Sequence, residues 1–402
     1  MDSSDRRKEL DMSKRVFICA HANFPRGDAT SNYIEYLSLA LMLKDYRVYV
    51  LSRGENRDED WDEKEQCYVH NGICYFNYEA KCKTTFDFLI NYFDESKNIV
   101  KLLRKFEAGK DDIILGYTLN YFYIKKLYRY SQKYNMKMAM CITEWHQAFE
   151  YNHGILNPVY WLDKMGFERG IPMCGNVIPI SRHLDEHFKK KGCSTLCMPI
   201  LAAPPDGIPE KDNGDIVHFI YSGNAIHKDA IDMIVNTFAS LSDEELSKMK
   251  LHFTGMKSST VDYLKKKCGK DFDRIRPILE IHAWMEYDEL VALYKKIDFL
   301  ILLRRNNKVT ISNFPSKVPE MMGYGIIPIV SQVGDYTQEY LTDDVDCIMV
   351  KECTIEAAKD EIVKGLNINK NRKQQMRENA YKTVNNKFAY SIWSDKIDDF
   401  LK

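Results

Sequence analysis

The chain has 402 residues, too many for one hydrophobic core and enough for two. Its hydrophobic content of 45% and charged content of 29% match an ordinary soluble globular protein. A formal net charge of −1 supplies no global field for nucleic acid, so no nucleic-acid partner is expected. The eleven cysteines include no Cys-x-x-Cys pair, and the closest, Cys193 and Cys197, have no histidine cluster beside them. Free buried thiols in a reducing compartment are therefore expected, with no metal. The opening MDSSDRRKELDMSKR lacks the apolar core of a signal peptide, and no apolar run approaches the roughly 18 residues that span a bilayer. A cytoplasmic protein is expected.

The first predicted strand is 15–20 (RVFICA), followed by the polar loop HANFPRGDATS and a helical pattern from Asn32 to Lys44. Residues 47–52 (RVYVLS) read as the next strand, and strand–loop–helix–strand in so short a stretch is a βαβ unit of a parallel sheet. Residues 54–66 form a charged surface excursion. Further strands are predicted at 73–76, 112–116, 137–142 and 177–180. Then PILAAPPDGIPEKDNGD, at 199–215, has the composition of an interdomain linker.

Beyond it the alternation restarts, with strands predicted at 216–221, 249–254, 278–282, 298–303, 326–331 and 346–350. Helices are predicted between them at 229–240, 259–268, 286–295 and 354–364, and residues 371–402 are helical in pattern. Two such series make an α/β protein of two Rossmann-like domains, 1–200 and 201–385, whose strands would bind ligands at their carboxyl ends. Neither half carries Gly-x-Gly-x-x-Gly after a strand, which counts against a dinucleotide.

The richest stretch is TISNFPSKVPEMMGYGIIPIVS, residues 310–331. Ser316 is a candidate N-cap, Pro319 fits the first turn, and Gly323 and Gly325 end the helix after about two turns. Free amides at 316–318, beside Lys317, would suit a diphosphate, and Glu320 one turn on could accept ribose hydroxyls. A capped surface helix with Glu320 facing the dipole fits the same residues equally well.

NFPSKVPEMMGYGIIPIVS resembles the donor-site signature of glycosyltransferase family 4, a retaining family of the GT-B fold, with two Rossmann-like domains facing across a cleft. The resemblance places Glu320 at the second glutamate of the family's Glu–seven residues–Glu motif, a ribose-binding role. The first glutamate falls at Ser312, so this chain lacks the carboxylate that would meet the donor sugar; Phe314, Ser316 and Lys317 line the same loop. FIYSGNAIHKDA, residues 219–230, is similar to the family's Gly-Arg…Lys segment, which places Gly223, Asn224 and Lys228 at the diphosphate. Asn224 stands where the family has arginine. Arg304 and Arg305 follow the 298–303 strand and could supply the missing charge, although a solvated surface pair is the other reading.

In the first half, ANFPRGDATSNYIEYLSLAL resembles the family's first loop, with Arg26 and Gly27 near the sugar or phosphate. ITEWH, residues 142–146, resembles a cleft segment and offers Glu144 and His146 as acceptor contacts. The final FAYSIWSDKI, within a terminal segment 386–402, resembles a closing helix that returns to the first domain. The resemblance implies retaining transfer of a sugar from a nucleoside diphosphate sugar to a glycan or lipid-linked acceptor, in surface polysaccharide biosynthesis. It implies no cofactor and no metal, because Lys228 and the helix amides take the cation's place.

A nucleotide-sugar epimerase of the same fold and a non-catalytic partner subunit are the competing readings. YFYIKKLYRYSQKYNMK, residues 121–137, interleaves aromatic and basic side chains, which suits peripheral contact with the inner membrane surface or simply one buried and one solvated helix face.

Overall fold

The computed structural model describes residues 14–25, 28–78, 85–211, 214–223 and 228–402. The chain divides into two compact units, one running to Met198 and taking in Tyr390–Lys402, the other Pro199–Ala389. Among the described residues, no helix is long and apolar enough to cross a membrane.

The first unit is built on β1 (Arg15–Ala20), where every residue from Val16 to Ala20 is buried. Such a run is what a parallel strand covered on both faces requires. Around it lie β2 (Arg47–Arg53), β3 (Trp61–Asp62), β4 (Cys67–His70), β5 (Ile73–Tyr78), β6 (Ile113–Tyr117), β7 (Lys137–Ile142), β8 (Asn176–Pro179) and β9 (Ser194–Thr195). The sheet order is β3-β4-β5-β2-β1-β6-β7-β8-β9, parallel except for the β3–β4 and β4–β5 pairs.

The crossover helices include α1 (Ala29–Met42), α2 (Thr85–Lys105), α3 (Tyr121–Tyr134), α4 (Pro158–Met165) and α5 (Arg182–Lys190). The helix Tyr390–Leu401 packs on α1, held where Tyr46 donates to Asp398 (2.9 Å) and Lys137 to the Phe400 carbonyl (2.9 Å).

The second unit carries six parallel strands: β10 (Val217–Ser222), β11 (Met249–Thr254), β12 (Leu279–Ile281), β13 (Phe299–Leu302), β14 (Ile327–Ser331) and β15 (Ile348–Val350). Their order is β12-β11-β10-β13-β14-β15. Its helices include α6 (Ile231–Ala239), α7 (Ser258–Cys268), α8 (Tyr287–Tyr294), α9 (Lys308–Ser312), α10 (Lys317–Met322), α11 (Ile355–Asn367) and α12 (Lys370–Lys387).

Three departures from the sequence reading have local causes. Within the charged excursion, Trp61 starts a short antiparallel strand because its ring packs on Tyr68 at 5.1 Å and Asp60 accepts the Tyr75 hydroxyl at 2.7 Å. Helix α1 starts three residues early because the Asp28 carboxylate caps the Ser31 amide at 2.8 Å. The C-terminal pattern is broken at Phe388, which is fully buried and whose carbonyl accepts the Ala202 amide at 2.8 Å.

Helix α10 ends as a glycine terminus should. Gly325 has φ +68°, and its amide donates to Met322 at 2.9 Å while Ile326 donates to Met321 at 3.1 Å. A Cβ at Gly325 would come 2.7 Å from Ile208 Cγ2. Gly325→Ala should therefore cost more than about 1 kcal/mol, read as a lower urea midpoint by circular dichroism; an unchanged midpoint contradicts the strain.

Candidate functional site

In the second unit the strand order reverses between β10 and β13, and open α/β sheets bind ligands at the carboxyl ends flanking such a switch point. Gly223 ends β10 with φ +139°, its amide bonded to the Thr254 carbonyl at 3.0 Å. Lys228 is half-buried, and Asp229 beside it is buried ahead of α6. Arg304 lies just past β13.

Arg304 joins these pieces. Its Nε donates to Asp229 Oδ1 at 2.7 Å and its NH1 to Asn313 Oδ1 at 2.9 Å, with both ion-pair side chains only 6% and 5% exposed. Tyr221 donates to the other Asp229 oxygen at 2.8 Å, and the Arg304 amide donates to Ser331 Oγ at 2.9 Å. Burial opposes the Arg304 charge, but Asp229 more than offsets this and raises its pKa above the ordinary value. One guanidinium thus ties the Lys228–Asp229 loop to the Asn313 loop. The expectation of an uncommitted charge at Arg304 is corrected: Asp229 already neutralises it. Arg305 is exposed and faces Asp232 at 3.6 Å.

Past Asn313 comes α10. Glu320 receives Tyr294 Oη on Oε1 at 2.8 Å and Lys317 Nζ on Oε2 at 3.1 Å, and its side chain is 17% exposed. Each carboxylate oxygen therefore keeps a further lone pair for another donor.

Ser316 stands at the N-cap position but has helical angles (φ −58°, ψ −27°), and its hydroxyl caps nothing. The chain enters α10 through a tight turn in which Val318 N donates to the Pro315 carbonyl at 3.1 Å, so one of the three amides expected free is used. Among the described residues, the amides of Ser316 and Lys317 find no protein acceptor.

Two further expectations change. Phe314 does not present its ring to a ligand: it is 3% exposed and packs against Tyr336, Tyr340 and Phe388, each at 5.6 Å, so it anchors the loop. Ser312 is buried, with its hydroxyl donating to the Lys308 carbonyl at 2.7 Å, one helical turn back. Arg26, Gly27 and Asn224 lie outside the described residues.

The first unit has its own switch point, between β1 and β6. A cavity of about 330 Å³ opens there, lined by His21 after β1, Arg53 at the end of β2, Thr118 and Asn120 after β6, and Thr143, Glu144 and His146 after β7. The two acceptor contacts expected from this segment, Glu144 and His146, both line the cavity, and His146 faces Glu144 and Glu150, each at 3.5 Å.

Three residues that the sequence reading did not single out shape this cavity. Asp163 on α4 accepts Tyr92 at 2.7 Å and Tyr151 at 3.0 Å, and burial raises its pKa against those two bonds. Glu95 reaches Arg53 at 3.4 Å and His21 at 3.6 Å, and burial raises its pKa although Arg53 opposes the shift. Burial, with Arg53, pushes the His21 pKa down to about 3, so this imidazole is neutral at ordinary pH. Nothing in the local sequence around Glu95 or Asp163 marks them, since both sit inside amphipathic helices.

Residues 208–383 match the family model for glycosyl transferases group 1. No curated protein matches the sequence. Among solved structures, a sucrose-phosphate synthase from Thermosynechococcus elongatus aligns with TM-score 0.72 at 13% identity, over 96% of this chain and 98% of that one. WaaG, a glycosyltransferase involved in lipopolysaccharide biosynthesis, aligns with TM-score 0.68 at 14% identity over 96% and 99%. A trehalose-6-phosphate structure from E. coli, bound with UDP-2-fluoro glucose, aligns with TM-score 0.68 at 10% identity over 97% and 99%. At such identities the likeness establishes the fold.

Removing one member of the Arg304–Asp229 pair leaves a buried charge without its partner. Asp229→Ala and Arg304→Met should each cost about 3–5 kcal/mol, and the double variant less than their sum. Denaturant unfolding of the three variants checks this, and strict additivity contradicts the coupling.

Proposed function

We propose, from the premise that the chain is a glycosyltransferase of GT-B fold whose residues 208–383 form a group 1 domain, that it moves a sugar from a nucleoside diphosphate sugar to a hydroxyl of a glycan or lipid-linked acceptor. The observation that carries the proposal is the grouping of Gly223, Lys228 and the Asn313–Glu320 segment around Arg304 at the switch point of the matched domain.

In this reading Lys228 and the amides of Ser316 and Lys317 hold the diphosphate, and Glu320 accepts the ribose hydroxyls through its remaining lone pairs. Negative charge grows on the leaving diphosphate as the glycosidic bond breaks, so a fixed cation and fixed amides stabilise that state more than the ground state. The same groups take the place of a metal ion, and the enzyme works without one or any other cofactor. With Ser312 where the family resemblance calls for a carboxylate, the donor sugar is met by backbone of the 313–316 loop.

The acceptor occupies the first unit's cavity, where Glu144, His146 and Asp163 offer hydrogen bonds to a hydroxyl-rich molecule. Attack on the same face as departure retains the anomeric configuration, with the leaving phosphate oxygen taking the acceptor's proton. A cavity suited to an acceptor supports transfer over epimerisation of the nucleotide-sugar alone. The pathway we propose is surface polysaccharide assembly.

Lys228→Ala and Glu320→Gln should each lower kcat/KM for the donor by about 10²-fold or more, measured as nucleoside diphosphate release with acceptor present. Full activity in both variants contradicts the assignment. Turnover of the nucleotide-sugar to its epimer without acceptor supports the epimerase instead.

A second reading concerns membrane contact, and one observation moves it along the chain. On α3 Tyr123 and Tyr130 are buried and Tyr121, Phe122, Tyr128 and Tyr134 are half-buried, so none of the six aromatic side chains of the 121–137 stretch is fully exposed. Phe149, Ile155, Leu156 and Trp161 are instead 56%, 64%, 82% and 51% exposed, with Lys164 Nζ 4.9 Å from the Trp161 ring. Apolar side chains beside a lysine suit the headgroup boundary of an anionic bilayer. The chain should sediment with phosphatidylglycerol vesicles at low salt and lose most of that binding in Leu156→Asp/Trp161→Asp; no sedimentation rejects the contact.

A further inference from the structure

We infer that His252, Glu280 and His282 form a binding site for a divalent transition-metal ion on the face of β10, β11 and β12. The strand register builds it. Ile220 pairs with His252, and His252 with Glu280, so residues 252 and 280 stand side by side. The two-residue period of a strand brings His218 and His282 to that same face. Three histidines and a carboxylate therefore meet although they are remote in sequence.

The two separations from His252 are those of a metal's ligands. His252 Nδ1 lies 3.3 Å from His282 Nε2 and 3.3 Å from Glu280 Oε2, and the ligand atoms of the three residues lie within 4.8 Å of one another. An ion with bonds of about 2.0–2.1 Å in tetrahedral geometry holds its ligand atoms about 3.3–3.4 Å apart. Ordinary hydrogen bonds to nitrogen are shorter, about 2.7–3.2 Å.

The protonation count is compatible with the same conclusion. A neutral imidazole has one N–H. On its other side, His252 Nε2 meets His218 Nδ1 at 2.9 Å, a good hydrogen bond. With the proton there, His252 Nδ1 presents a bare lone pair to a carboxylate, which an intervening cation turns from repulsion into two bonds. His218 then orients the ligand ring, as the partners of metal-bound histidines commonly do.

Lys250 steadies the other Glu280 oxygen at 3.9 Å, and Glu280 is 46% exposed while His252 is 3%, so the site opens to solvent on the carboxylate side. Two imidazoles and a carboxylate select a first-row ion such as Zn²⁺, with water completing the tetrahedron. The ion would clip the edge strand β12 to β11 and has no part in sugar transfer.

Calorimetric titration of the EDTA-treated full chain with Zn²⁺ alone tests the site. One equivalent should bind, with affinity at least tenfold lower in His282→Ala and in Glu280→Gln, and about 10- to 100-fold lower in His218→Ala at unchanged stoichiometry. Co²⁺ should give the visible absorption of a tetrahedral site, lost in His282→Ala. Because His282 and Glu280 are not core residues, circular dichroism of their variants should match the native chain. No uptake overturns the inference, and so does equal uptake by the native chain and both variants, which would place the ion on thiols instead.

Discussion

The buried contact between Arg304 and Asp229 is the constraint on which the proposed donor side of this protein rests. Parallel strands end in loops, and loops cannot by themselves hold a cation and a carboxylate at fixed places. Here a guanidinium enters between two strand ends, takes Asp229 from one loop and Asn313 from the other, and gives its own amide to Ser331. A planar fork with several donors can do this where a lysine ammonium cannot. Lys228 is covalently next to Asp229, and Ser316, Lys317 and Glu320 follow Asn313 in the loop and the short helix α10. The residues proposed to meet the diphosphate are thus positioned by a residue that need not touch it.

The first unit applies a different solution to the same problem. Its switch point opens on a polar cavity, and the groups that define it come from α2 and α4 as well as from strand ends. Asp163 is fixed by two tyrosine hydroxyls and Arg53 by Glu95, so the cavity presents an oriented acceptor and a neutral His21. Oriented neutral and partly compensated groups suit recognition of hydroxyls, whose hydrogen bonds must be supplied in place of water.

Much of the fold was legible because each parallel strand, covered on both faces, must be an unbroken apolar run. RVFICA, KMAMCI and MKLHFT were bounded to the residue and the other predicted strands within a residue or two, while the short strands β3, β4 and β9 were not anticipated. What escaped was decided by contacts distant in sequence. Nothing near Arg304 announces that Asp229, 75 positions earlier, will neutralise it. Ser316 carries the right side chain for a cap, yet Pro315 starts the turn first. Phe314 looked like a ligand contact in its motif, and Tyr336, Tyr340 and Phe388, all later in the sequence, make it an anchor. The three histidines on β10, β11 and β12 are each unremarkable in their own segments and become a group only through strand register.

Hydrogen–deuterium exchange, with and without UDP or GDP at saturating concentration, tests most directly whether the clamped loops receive a nucleoside diphosphate. Slowed exchange of amides at 222–230 and 313–322, with little change elsewhere in the second unit, is the predicted result. Protection confined to the first unit, or none with either nucleotide, would contradict it.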